Sequence, residues 1–105
     1  MSGSGGGSYV PPQRTNFDCE TSQIKNTVSS INLEVLKKHD IGSILDVDLN
    51  GDDILILEDG DGEVLGSILH LNTEDLIECI KRGHEYEAKI IQKTSMTCVV
   101  LIKRK

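Results

Sequence analysis

The sequence predicts a mainly β, α+β fold: a small closed six-stranded antiparallel β-barrel or roll with two short helices. Three observations predict it. Residues 43–69 set three β-type runs, SILDVDL, DILILED and EVLGSIL, around the turn signals Asn50-Gly51-Asp52 and Gly60-Asp61-Gly62, the pattern of an antiparallel meander. Further β-type runs precede this stretch and follow the helical segment after it, and closing such a sheet hides its edges. The apolar content is aliphatic, with no Trp, one Phe and two Tyr, so Ile, Leu and Val must fill the interior.

Residues 1–16 read as a flexible arm, because MSGSGGGS is a Gly/Ser stretch and Pro11-Pro12 stiffens only its C-terminal part. The single β-barrel domain is expected over residues 17–105. A first strand is predicted over 19–28, with Ile24 and Val28 on one face and Thr21 and Thr27 adding β propensity. Asn32 can cap a short helix, Leu33 to Lys38, which ends on Lys37 and Lys38 and stops before Gly42. In the next strand Leu45, Val47 and Leu49 alternate with Ile44, Asp46 and Asp48. Asn50-Gly51 is a hairpin signal, since both residues tolerate positive φ. The continuous run Ile54 to Leu57 suggests a strand covered on both faces. Gly60 and Gly62 permit the second turn, and Gly66, inside the strand Val64 to Leu69, predicts a bulge or sharp bend.

Asn72 and Thr73 then open the clearest helix. Asp75 stands where a capping box places Glu or Gln, and Leu76, Ile77, Cys79 and Ile80 supply an apolar stripe. Lys81 and Arg82 end it, with Gly83 as the stop. Strands from Tyr86 to Lys93 and from Thr97 to Lys103 complete the count.

A net charge of −6 argues against an overall electrostatic grip on nucleic acid or an anionic membrane. The charge is bipolar: Asp40 to Glu63 holds nine acids and no Lys or Arg, whereas Lys81 to Lys105 holds seven bases and two acids. Three cysteines, Cys19, Cys79 and Cys98, with no CxxC pair, argue against a disulfide framework and a zinc site and fit a reducing cytoplasm. No apolar run reaches membrane-spanning length and no signal peptide is read, so a cytoplasmic protein with no membrane contact is expected.

Asp46-x-Asp48-x-Asn50-Gly51-Asp52 begins like a calcium loop, which needs oxygen ligands at alternate positions. The closing Glu of such a loop would fall at Leu57, so an acidic hairpin tip is the expected reading; Asp59-x-Asp61-x-Glu63 is a weaker version of the same signal. His39, His70 and His84 are dispersed. Cys79 and Cys98, which could be paired with His84 on paper, sit in apolar stretches. With no GxSxG, P-loop, HExxH or Rossmann glycine pattern, no catalysis and no cofactor are expected.

The stretch EVLGSILHLNTEDLIECIKRGHEYEAKII, roughly residues 63–91, resembles the second half of HIRAN-type domains. These are small β-barrels found on DNA-remodelling enzymes and, alone, in bacteria. Leu65, Gly66, Ile68, Leu76, Ile80, Gly83 and Ala88 carry the resemblance. It implies a barrel that binds single-stranded DNA ends.

The leading expectation is a non-enzymatic protein-interaction module, an adaptor or accessory subunit. Its acidic turns, through Asp48, Asp52, Asp53, Asp59 and Asp61, would meet a basic partner protein. The second is a HIRAN-like nucleic-acid-binding module, with Lys81, Arg82, Lys93, Lys103, Arg104 and Lys105 gathered at one end of the barrel. A homo-oligomer is also open, formed by edge strands that begin at Cys19 or end at Lys105.

Overall fold

The computed structural model describes residues 17–51, 53–70 and 72–105; the reading of residues 1–16 as an arm lies outside them. The described chain runs β1 (Ile24–Thr27), α1 (Leu33–Leu36), β2 (Ile44–Leu49), β3 (Leu55–Glu58), β4 (Val64–Ile68), α2 (Thr73–Lys81), β5 (Tyr86–Lys93) and β6 (Cys98–Arg104). All strand pairings are antiparallel, in the order β1-β6-β5-β2-β3-β4.

The sheet is a half-barrel, open and not closed, which corrects the expectation of a closed barrel. Its edges are β1 and β4. They meet at one isolated bridge, Ser29 to Ser67, and at the Asn26 side chain, whose amide donates to the Leu69 carbonyl at 2.7 Å. The chain leaves β1 at Ser30, which has φ of 51°; that turn ends the approach before a ladder can form. β6 lies between β1 and β5, so the run ending at Lys105 is not an edge. Residues 19–21 form a turn, not the start of a strand, because the Asp18 carboxylate accepts from the Glu20 and Thr21 amides at 2.7 and 3.1 Å.

One core fills the concave side. Leu45, Leu55, Leu57, Leu65, Ile68, Ala88, Ile90, Val100 and Ile102 point inward from the sheet, and Val35, Leu36, Leu76 and Cys79 come from the helices. The strand over 55–58 is covered on one face only: Leu55 and Leu57 are buried and Ile56 is half-exposed. Gly66 sits where the β3–β4 register slips, with Leu57 opposite Gly66 and Glu58 opposite Val64, as the glycine predicted. The β2–β3 connection is longer than a two-residue turn. The Asn50 carboxamide oxygen accepts from the Ile54 amide at 3.0 Å, and Asp53, not Gly51, takes the left-handed conformation, with φ of 58°.

Asn32 caps α1 as expected, accepting from the Glu34 and Val35 amides. At α2 the Asn72 side chain does not cap the helix; it donates to the Asp75 carboxylate at 3.1 Å. Gly83, with φ of 102°, closes α2: the His84 amide reaches back to the Cys79 carbonyl at 3.1 Å.

The cysteine expectation is also corrected. Cys19 and Cys79 form a disulfide across 60 residues of sequence, with Cα atoms 5.6 Å apart. Beside it the buried Tyr86 hydroxyl donates to the Cys19 carbonyl at 2.6 Å. The disulfide and this hydrogen bond fasten the turn before β1 to α2 and β5. Cys98 is free and buried.

Candidate functional site

The outer, convex face of the sheet carries the residues left over once the inward positions are filled. In β2 these are Ile44, Asp46 and Asp48. The register places Asp46 directly opposite Glu87 of β5 and directly opposite Glu58 of β3. Three carboxylates therefore stand abreast on three adjacent strands. Like charges directly opposite one another destabilise a sheet. Two cations offset part of this: Lys103 is opposite Glu87 in register, and Lys105 Nζ lies 2.5 Å from Asp46 Oδ1. Burial, together with the neighbouring carboxylates of Asp48, Asp46 and Asp59, pushes the Glu58 carboxyl above its ordinary range.

At one end of this row, beside the C-terminal end of α2, lies a groove of about 400 Å³. It is lined by Asp46, Val47, Asp48, Glu58, Ile80, His84, Glu85, Tyr86 and Lys105.

The four described residues among the predicted partner-binding acids do not form one surface. Asp53 precedes β3 and pairs with Lys81 at 3.0 Å, whereas Asp59 and Asp61 follow β3 at its other end. Asp48 is exposed on the outer face, and Asp52 lies outside the described residues. Asp59 is buried and consumed by its own turn, a correction to its reading as an exposed tip. Its Oδ1 accepts from the Asp61 and Glu63 amides at 2.9 Å each, and its Oδ2 meets His39 Nε2 at 3.1 Å. The calcium-like spacing, expected to be an acidic hairpin tip, falls largely within a strand: Asp46 and Asp48 lie inside β2, Asp46 holds Lys105, and Asn50 accepts from the Ile54 amide. Asp59, Asp61 and Glu63 can each bring one oxygen within 4.8 Å of the others. The turn that Asp59 closes accounts for that proximity.

The hydrogen bonds from the Glu63 amide and His39, chiefly, hold the Asp59 carboxyl below its ordinary value of 3.8. A depressed carboxyl stabilises the fold above the unfolded value, and the effect fades as pH falls through the folded one. Asp59→Ala should therefore lower the melting temperature at neutral pH, with the difference from wild type shrinking below pH 3.8. Asp59→Asn keeps an acceptor for the turn amides and should lose less; thermal unfolding across that pH range checks both.

The predicted cations divide between two ends. Lys103, Arg104 and Lys105 lie by the start of β5, while Lys93 ends it, where it pairs with Asp40 and donates to the His39 carbonyl. Lys81, Arg82 and Arg104 face Asp53, Glu78 and Glu20 at 3.0, 3.8 and 3.6 Å. Lys81 and Arg82, at the end of α2, immediately precede the start of β5, so of the six only Lys93 lies at the opposite end. The thiols do not serve His84: Cys79 is in the disulfide, and burial pushes the Cys98 thiol up. Sequence reading missed Glu87 and its alignment with Glu58, because only the β5–β2–β3 register sets both beside Asp46.

Comparison of the chain with family models, with curated proteins and with solved structures returns no match. Among the described residues, no helix is long and apolar enough to cross a membrane.

Proposed function

We propose that this chain is a non-enzymatic protein-interaction module, an adaptor or accessory subunit, that docks a positively charged segment of another protein on the acidic part of its outer sheet face. The row Glu87, Asp46 and Glu58 carries the reading. It sets carboxylates abreast at a cost in stability, and local costs of this kind gather at functional sites. The nucleic-acid reading has less support, since most of its cations already face carboxylates.

Glu58→Gln separates function from stability. It should raise the melting temperature slightly, most clearly at neutral pH, with the gain fading toward pH 4.5 as the wild-type carboxyl protonates. The same substitution should weaken binding of a fluorescent lysine-arginine peptide by roughly fivefold, the scale of one exposed charge contact. Anisotropy titrations at rising salt check it, with a single-stranded oligonucleotide as comparator. If the oligonucleotide binds and the peptide does not, the nucleic-acid reading replaces this one.

A further inference from the structure

Three lysines differ from every other base in the described chain. Elsewhere each Lys and Arg lies within 4.0 Å of a carboxylate. Lys25, Lys89 and Lys103 form no such pair among the described residues. All three are exposed, at outward positions of β1, β5 and β6. They share the outer face with the acidic row but not its strands. The outward positions of β1 and β6 hold Lys25 and Lys103 and no carboxylate. Those of β2 and β3 hold Asp46, Asp48 and Glu58 and no Lys or Arg. The face is thus split into a basic half and an acidic half.

The register makes the two halves match each other. Leu101, Lys89 and Ile44 stand abreast on β6, β5 and β2, and Lys103, Glu87 and Asp46 form the next row. β5 is the middle strand of both rows, with β6 and β2 on either side and β1 and β3 beyond them. A two-fold axis along β5 therefore lays β6 of one copy on β2 of a second, and β1 on β3. Sheets packed face to face stand about 10 Å apart. That arrangement seats Leu101 on Ile44, which is 56% exposed, and Lys103 on Asp46, each contact made twice. Lys89 and Glu87 are two residues apart on β5, so Lys89 of one copy bridges to Glu87 of the other. Because the face is convex, β1 and β3 diverge at the rim, where the long side chains of Lys25 and Glu58 span the gap. A nucleic acid would match the lysine half alone and be repelled by the carboxylates beside it.

We infer that the outer face is the docking surface for a second copy of this chain, packed sheet on sheet about an axis along β5, with the lysines of β1 and β6 on the carboxylates of β3 and β2. This goes beyond the interaction-module reading, since it assigns the basic half of the face as well. The two share the carboxylates of β2 and β3, so a second copy and a basic partner exclude one another.

Sedimentation equilibrium of the full chain tests it. Wild type should dimerise, more weakly as salt rises. Lys103→Glu alone and Asp46→Lys alone should each weaken the dimer about tenfold, since symmetry spoils two ion pairs at once. An equimolar mixture of the two variants should dimerise like wild type, because each heterodimer again sets opposite charges across the axis. Lys25→Glu mixed with Glu58→Lys gives the same readout at the rim should Asp46→Lys, which gives up its Lys105 contact, fail to fold. A wild type that stays monomeric at low salt overturns the inference, and if that monomer still binds the lysine-arginine peptide, docking on the acidic face stands. If it neither dimerises nor binds the peptide, both fail. Dimers that form equally well in each charge variant alone would place the contact elsewhere, at the sheet edges, and overturn the inference too.

Discussion

Opening the Cys19–Cys79 bond should cost this domain about 4 kcal/mol, the loop-entropy value for a crosslink spanning some 60 residues. That is a large share of the roughly 5–15 kcal/mol by which domains are stable. The crosslink joins the turn before β1 to α2, and few other contacts hold that turn. They are the Tyr86 hydroxyl on the Cys19 carbonyl, an exposed Arg104–Glu20 pair and the packing of the half-buried Phe17 and Cys19 against the core. Once the bond is open, residues 17–23 keep those contacts, including the packing of Phe17 on the core, and α2 loses its covalent tie. Urea unfolding of the oxidised chain should shift to a lower midpoint on adding reductant. The Cys19→Ser/Cys79→Ser double variant should unfold at the lower midpoint with or without it. An unchanged wild-type midpoint would show that packing of Leu76 and Cys79 alone seats the helix. A glutathione-buffered cytoplasm favours the open, dithiol form, so the compartment decides which of the two stabilities the protein has.

Why the disulfide escaped the sequence, when the strands did not, is a matter of range. Every strand was legible because its signal is local: the Leu45, Val47, Leu49 alternation, the glycine-rich turn with Gly62, and the Gly83 stop after α2. A cysteine pair 60 residues apart has no local signal, and an odd count read as unpaired thiols. The acidic row was invisible for the same reason. Asp46, Glu58 and Glu87 are far apart in the chain and become neighbours only when β2 takes its place between β5 and β3. Asp59 is a different failure. Its Gly-flanked position looks like an exposed tip, yet an Asp whose side chain folds back on the amides ahead of it is a known turn device, and reading it so would have placed the residue inside the turn. Closure of the sheet was misjudged because it depends on how closely the chain beyond β1 can approach β4, a distance that no residue pattern states.

Gly66 fixes that distance, and substituting it should be the most damaging single change on the sheet. A Cβ at this position would lie 2.5 Å from Val28 Cγ1 and 2.6 Å from the Ser29 carbonyl oxygen. Val28 can turn its side chain; the Ser29 carbonyl cannot move freely. It accepts from the Ser67 amide at 2.8 Å, while the Ser29 amide donates to the Ser67 carbonyl at 2.8 Å and the Asn32 amide donates to the Leu65 carbonyl at 2.8 Å. These three bonds carry most of what joins the two edges of the half-barrel. Relieving the clash means pulling residues 29–32 off β4, with loss of some or all of them. Gly66→Ala should therefore destabilise the fold by about 3 kcal/mol, the upper range for overpacking a filled site. Gly66→Val should prevent folding. The Val28→Ala/Gly66→Ala double variant removes one of the two close contacts, so it should recover only part of the clash penalty and keep the part due to the Ser29 backbone. Urea denaturation measures the losses. Amide hydrogen exchange locates them, with Ser29, Asn32 and Ser67 exchanging faster in Gly66→Ala while the β5–β6 amides keep their protection. Full recovery in the double variant would place the whole constraint in the Val28 side chain, and the seam would then be held by packing, with its backbone free to give.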